Sequence, residues 1–314
     1  MAKKKIRKDL IIIGSGMAGL TAALYAGRMK LDVLVLENGI VGGQIVNSVR
    51  VENYPGVPDV EGSALMAALQ EQAESFGAVV DEFDAIQHTQ LQTEHKLIET
   101  DSAVYEVPAV IIAAGMKHRP LPLAEAARYE GRGIHYCELC DGHQYQGKTI
   151  AVAGGGNSAA GAAIFLSKYA QKLYVIHRSQ LRADKVAQKR LYELPNTEIL
   201  LNTEITGLYG GEILEKAELW NKETDERYSL PLDAVFVNIG STPNDEVFKG
   251  QVAADSYGHI IAGEDCRTDV AGVFAAGDIR TKEIRQLTTA AADGTTAALL
   301  ADKYIRCMKE EGKW

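Results

Sequence analysis

Leu10-Ile11-Ile12-Ile13-Gly14-Ser15-Gly16-Met17-Ala18-Gly19 opens the readable part of this sequence and decides its fold class. Four apolar residues in a row, without alternation, predict a strand buried on both faces. Glycines spaced Gly-x-Gly-x-x-Gly follow, and a small-residue stretch from about Met17 to Met29 predicts a helix. Asp32 to Leu36 reads as the next strand, and Glu37 ends it. Strand, glycine turn, helix, strand, acid is the order of a dinucleotide-binding unit. Gly14 makes the turn, Gly16 lets a pyrophosphate approach the backbone, and Gly19 lets helix and strand pack closely. The helix start offers N–H groups and a positive dipole end, so Ser15, Met17 and Ala18 count with the glycines as binding positions. Glu37 is placed to accept hydrogen bonds from an adenosine ribose.

The plan recurs. Thr149 to Ala153 predicts a buried strand, and Gly154-Gly155-Gly156-Asn157-Ser158-Ala159 a second turn with a helix running to about Tyr169. Lys172 to Ile176 is a strand ending in His177-Arg178, with Arg182 four positions on. We read an internal duplication. The repeats differ where they touch the ribose: a carboxylate suits a free 2′-hydroxyl, and arginines suit a 2′-phosphate. The second site therefore predicts NADPH. A late apolar run, Gly272-Val273-Phe274-Ala275-Ala276-Gly277-Asp278, ends in an acid suited to a ribityl chain or second phosphate. NAD has no ribityl chain, so this run assigns FAD to the first site and makes the first domain discontinuous. The expectation is an α/β fold of two Rossmann-like domains, each in three layers (ββα), the second inserted into the first. Boundaries fall at Met116-Lys117-His118-Arg119-Pro120 and at Gly240-Ser241-Thr242-Pro243-Asn244, giving 1–117 with 245–314, and 118–244.

Cys137-Glu138-Leu139-Cys140-Asp141 lies just before the second turn. Two cysteines three positions apart close a small disulfide ring or open it to two thiols, which is two-electron chemistry. A thiolate is the working nucleophile, and Asp141 is placed to move a proton; His143 is a second candidate. Cys266 and Cys307 have no partner at ligand spacing, so no zinc site is expected and no disulfide framework. Gly62 to Phe76 predicts a helix with Leu65, Met66, Leu69, Ala73 and Phe76 on its apolar face. Residues 78 to 107 read as a β-meander and 197 to 230 as short strands. Gly42-Gly43-Gln44 and Asn53-Tyr54-Pro55-Gly56 read as loops near the first site. The last helix runs from about Gln286 to Met308.

The net charge is −9 over 314 residues, which argues against general nucleic-acid binding. Lys3, Lys4, Lys5, Arg7 and Lys8 read as a solvated arm rather than a leader. No apolar run approaches the ~18 residues of a membrane span. One close cysteine pair fits a reducing, cytoplasmic compartment.

Gly14-x-Gly16-x-x-Gly19, Gly42-Gly43-Gln44, Glu52-Asn53-Tyr54-Pro55-Gly56, Cys137-x-x-Cys140-Asp141-Gly142, Gly154-Gly155-Gly156-Asn157-Ser158-Ala159, Gly277-Asp278 and Arg285-Gln286 together resemble the low-molecular-weight, bacterial-type thioredoxin reductases over nearly the whole chain. The resemblance implies a homodimeric flavoenzyme in which hydride passes from NADPH to FAD, then to a Cys137–Cys140 disulfide, then to thioredoxin. It also implies that Cys140 faces the flavin, that Cys137 attacks thioredoxin, that Asp141 is the acid–base, and that one domain rotates against the other. It adds Ala114, Gly115 and Leu287 to the FAD residues, and Ile239 and Gly240 to the NADPH residues. Three departures stand out. Ser179 replaces an arginine of the usual His-Arg-Arg, Ala160-Gly161-Ala162 replaces acidic residues, and Glu138-Leu139 replaces small residues inside the redox ring. The first two leave NADH, ferredoxin or a deazaflavin open as donor. A glutaredoxin-like or peroxidase partner and a flavin redox sensor without turnover are the rival readings. A ferredoxin–NADP reductase of similar fold lacks the dithiol.

Overall fold

The Leu10–Ile13 strand lies at the middle of a five-stranded parallel sheet in a computed structural model that describes residues 3–48 and 51–314. The sheet order is Val273–Ala275, Ala109–Ile112, Leu10–Ile13, Val33–Glu37, Val79–Glu82. Leu10 and Ile12 turn to one face, in the same apolar cluster as residues of helices Met17–Arg28, Gly62–Ser75 and Leu287–Glu310. Ile11 and Ile13 turn to the other, toward a four-stranded layer of Lys4–Arg7, Ala103–Val107, Lys96–Thr100 and Ile86–Gln90. Both faces are covered, which is why the run does not alternate. The last helix comes very close to the first: a Cβ on Gly294 would stand 2.2 Å from the Ala18 carbonyl oxygen.

Two expectations are corrected in this unit. The basic N-terminal segment is not a free arm. Lys4–Arg7 is an edge strand parallel to Ala103–Val107, and Lys3 and Lys8 pair with Glu99 and Asp32 at 2.8 and 2.7 Å. Backbone pairing to a neighbouring strand outweighs the repulsion of solvent-facing cations. Nor does the meander begin at 78. Val79–Glu82 extends the parallel sheet, pairing Val79 with Leu34 and Glu82 with Glu37. The chain's end is also held: the Arg7 guanidinium lies 4.0 Å over the Trp314 ring, and the indole N–H donates to Asp9 Oδ1 at 3.2 Å.

The contacts divide the chain into Met1–Lys117 with Thr242–Trp314, and His118–Ser241. The second unit repeats the layers. Its parallel sheet runs Ile134–His135, Ala234–Val237, Thr149–Ala153, Lys172–Ile176, Thr197–Leu200. Ile150 and Val152 share a cluster with helix residues of Asn157–Leu166, and Ala151 and Ala153 with the antiparallel layer Thr203–Tyr209, Lys216–Asn221, Arg227–Pro231. The chain is thus α/β in two three-layer, Rossmann-like units.

Candidate active site

At the first turn, Gly14 has φ +99°, and a Cβ there would stand 2.5 Å from the Ala113 carbonyl oxygen. A Cβ on Gly19 would stand 1.9 Å from the Gly14 oxygen, whereas one on Gly16 meets nothing within 4 Å. Two glycines are therefore required by the chain itself, and the third leaves open space. Ser15 donates to Glu37 Oε2 from its backbone N–H at 2.9 Å and from its hydroxyl at 2.7 Å, and the Asn38 N–H donates to Oε1 at 2.9 Å. The carboxylate is thereby fixed beside the turn, with Met17 and Ala18 starting the helix behind it.

The later loops come to the same place. The Gly42 N–H donates to the Ser15 carbonyl at 3.2 Å, and a Cβ on Gly43 would lie 3.2 Å from Gly16 Cα. The Gln44 amide donates to the Met116 carbonyl. Gly277 packs against Ala18, and its N–H donates to Asp293 Oδ2 at 3.0 Å. Asp293 is in turn clamped by buried Arg280 at 2.8 Å and by Lys282 at 2.8 Å. Asn53 Nδ2 donates to Gln286 Oε1 at 3.4 Å, and Gln286 caps the helix that Leu287 begins. Asn244 donates to the carbonyls of Ala114 and Gly115 at 2.8 and 3.2 Å. Asp278 Oδ1 and Arg285 Nε are buried without a hydrogen-bond partner among the described residues. Burial pushes the Asp278 carboxyl up. Each such orphan costs about 1–3 kcal/mol, so a polar, partly anionic ligand belongs there. These residues fit FAD.

In the second unit, Cys137 and Cys140 form a disulfide with Cα atoms 5.3 Å apart. Cys137 caps the single helical turn Glu138–Asp141, and its sulfur accepts the Cys140 N–H at 3.2 Å. Leu139 points outward, 45% exposed, while Asp141 is buried. Burial pushes the Glu138 carboxyl up, against a hydrogen bond with Asn238 that favours its ionised form. The histidine paired with Asp141 is His135: its Nδ1 lies 3.1 Å from Asp141 Oδ2, and its Nε2 lies 2.7 Å from the Tyr145 hydroxyl. The sequence reading named only His143 as a second candidate beside Asp141, in the 3-10 turn Gly142–Tyr145. His135 escaped it because it ends a strand of only two residues, Ile134–His135, ahead of the cysteine pair, and only the fold brings it against Asp141.

At the second turn, a Cβ on Gly154 would stand 2.4 Å from the Asn238 carbonyl oxygen, and one on Gly155 would stand 2.3 Å from the His177 ring. Gly156, like Gly16, faces open space. Asn157 Oδ1 accepts the Asp184 N–H at 2.8 Å, Ser158 Oγ lies 3.5 Å from Asn238 Nδ2, and Ala159 is buried beneath. His177 lies under the turn, 6% exposed. Burial first, then the charges of Arg182 and Arg178, hold its pKa down. It supports the loop rather than facing solvent. Arg178 and Arg182 are exposed, with no ion-pair partner among the described residues. Ile239 is 37% exposed, and Gly240 has φ +109°. Two unpaired guanidiniums beside an open glycine loop fit a nucleotide that carries an extra phosphate. Among the described residues there is no His/Cys/Asp/Glu cluster suited to a metal, and no helix is long and apolar enough to cross a membrane.

Residues 8–294 match the model of the pyridine nucleotide-disulphide oxidoreductase family. A Clostridium pasteurianum protein described as the 34.2 kDa protein in the rubredoxin operon is 47% identical over 304 residues, covering 96% of this chain and 99% of that one. The thioredoxin reductase of Peptoclostridium acidaminophilum is 40% identical over 311 residues, with 96% and 98% covered. Among solved structures, the thioredoxin reductase of Streptococcus pyogenes is 36% identical and superposes with a TM-score of 0.91, over 96% of this chain and 99% of that one.

Proposed function

Because this chain belongs to the pyridine nucleotide-disulphide oxidoreductase family, we propose that it is a thioredoxin-disulfide reductase using FAD and NADPH. The observation that carries the reading is the Cys137–Cys140 disulfide with buried Asp141 beside it, on the unit that also holds the second glycine turn. Relatives named thioredoxin reductase over nearly their full length support the same reading. When bound, NADPH would supply a hydride and the flavin, once reduced, the two electrons that with two protons turn the disulfide into a dithiol.

The chain's own residues do the rest. Cys137, as thiolate, attacks one sulfur of the thioredoxin disulfide and forms a mixed disulfide, while the other thioredoxin sulfur leaves and takes a proton. Cys140 then attacks Cys137 sulfur. The Cys137–Cys140 bond reforms, and the second thioredoxin sulfur leaves and takes its proton. Asp141 carries those protons from the enzyme thiols to the leaving sulfurs. Gly14, Gly16, Gly19, Glu37, Asp278 and Arg285 hold the flavin nucleotide. Arg178 and Arg182 hold the 2′-phosphate; Ser179 adds no charge. The same reading takes the enzyme as a cytoplasmic homodimer.

The test is anaerobic mixing of the purified protein with NADPH and, separately, NADH, following the flavin's long-wavelength absorbance. Bleaching by NADPH, followed by thioredoxin reduction that Cys137→Ser abolishes, is the expected result. Bleaching by dithionite but by neither nucleotide would overturn the donor assignment. A reduced dithiol that leaves thioredoxin oxidised would overturn the substrate.

A further inference from the structure

Three side chains of the second unit, His135 and Asp141 buried and Tyr145 half-buried, stand in series beside the helical turn that carries Cys140. Tyr145 lies in the turn after Asp141, and burial pushes its hydroxyl up to about 12, with Asp141 and Asp233 adding to the shift. The hydroxyl therefore keeps its proton and is able to donate it in a hydrogen bond. It lies 2.7 Å from His135 Nε2, and a hydrogen bond donated there sets the ring proton on Nδ1. Nδ1 in turn faces Asp141 Oδ2 at 3.1 Å, an ion-pair contact. Hydroxyl, imidazole and carboxylate thus stand in series. The side chains of His135 and Asp141 are only 4% and 12% exposed. The imidazole is also clamped sideways: it stacks on Phe236 at 5.3 Å, and Tyr145 meets the same ring edge-on at 5.8 Å. Its place is fixed by packing as well as by polar contacts.

We propose that His135, oriented by Tyr145, is the positioning residue that fixes the Asp141 carboxylate for proton transfer with the Cys137–Cys140 pair. The inference rests on the dithiol exchange proposed above. With Oδ2 occupied, one oxygen of Asp141 remains for the sulfur chemistry, and a carboxylate that cannot rotate loses no time in unproductive rotamers. In exchange with thioredoxin the enzyme's two S–H bonds are replaced by its S–S bond, and the partner's S–S bond by two S–H bonds; with a disulfide whose thiols leave ionised, the enzyme's two protons pass to solvent instead. The electron pair moves with the sulfurs, and both protons leave by way of Asp141. His135 gains and loses nothing over the cycle.

The full-length holoenzyme is reduced with dithiothreitol, freed of it, and mixed in a stopped-flow instrument with 5,5′-dithiobis(2-nitrobenzoate). Release of the coloured thiolate reports dithiol exchange without a nicotinamide nucleotide or thioredoxin. His135→Ala is expected to slow exchange about tenfold or more. His135→Asn, which keeps an N–H near the Nδ1 position, recovers most of that loss. Tyr145→Phe slows wild type but not His135→Asn, and His135→Ala combined with Asp141→Asn is no slower than Asp141→Asn alone. In turnover, kcat falls while KM for the disulfide stays. Wild-type rates in His135→Ala, or losses that add with Asp141→Asn, overturn the proposal. Should His135→Ala fail to fold, His135→Asn and Tyr145→Phe carry the same comparison. A wild-type dithiol that does not exchange overturns the functional reading itself. Exchange that proceeds equally in wild type and variants overturns only the role of His135.

Discussion

A methyl group added at Gly16 meets nothing of the chain within 4 Å, whereas one added at Gly19 would stand 1.9 Å from the Gly14 oxygen. Gly19→Ala should therefore lower the stability of the flavin-free protein by about 1–3 kcal/mol, as overpacking does. Gly16→Ala should leave that stability nearly unchanged and purify with less flavin. Thermal unfolding of the apoprotein and the flavin-to-protein absorbance ratio check the pair; equal thermal losses would contradict it. Arg178→Ala and Arg182→Ala should each raise KM for NADPH about tenfold or more, the worth of a charge-assisted hydrogen bond, and leave KM for NADH alone. Equal rises for both nucleotides would mean that neither arginine meets a 2′-phosphate. Such roles were legible because glycine spacing and charge are one-dimensional signals. His135 and Tyr145 were not, because their partnership with Asp141 depends on a short edge strand and a 3-10 turn that bring three side chains together.

In the strand Lys96–Thr100, an ammonium is buried. Lys96 is 1% exposed, its Nζ donates to the Glu94 carbonyl at 3.0 Å, and it lies 5.5 Å from the Tyr304 ring. Burial lowers its pKa to about 8. The unfolded chain then holds more protons than the folded one between that value and the ordinary lysine value, so stability rises with pH through this window. Below it the charged, buried amine costs the fold up to about 3 kcal/mol. Lys96→Met should accordingly stabilise the protein near neutrality by about 1–3 kcal/mol and flatten the rise between pH 8 and 10. Urea unfolding at both pH values tests this, and a variant less stable at pH 7 would refute it. Element identity was readable where strands are buried on both faces, as at Leu10–Ile13. It misled at Val79–Glu82, where a half-exposed strand looks the same whether it extends the parallel sheet or opens a meander.

The second unit, His118–Ser241, is one uninterrupted stretch with apolar clusters on both faces of its sheet. Expressed alone it should fold cooperatively and keep the Cys137–Cys140 disulfide. Circular dichroism on heating and thiol titration measure this, and a non-cooperative melt would contradict it. The repeated layers were visible in the duplicated turns, and the discontinuity of the first unit in the late Gly277-Asp278.

That discontinuity has a consequence during synthesis. The chain leaves the ribosome from its N-terminus, and domains generally fold as units. Leu10–Ile13 is made well before Val273–Ala275 and the helix Leu287–Glu310 that close its layers. The sulfur-bearing unit is complete once Ser241 has emerged, while the flavin cradle, begun before it, still waits for its lid. A nascent chain arrested before Leu287 carries a finished dithiol unit and an open apolar face along Met17–Arg28. Until the helix Leu287–Glu310 docks, that apolar face is the kind of exposed surface that chaperones cover.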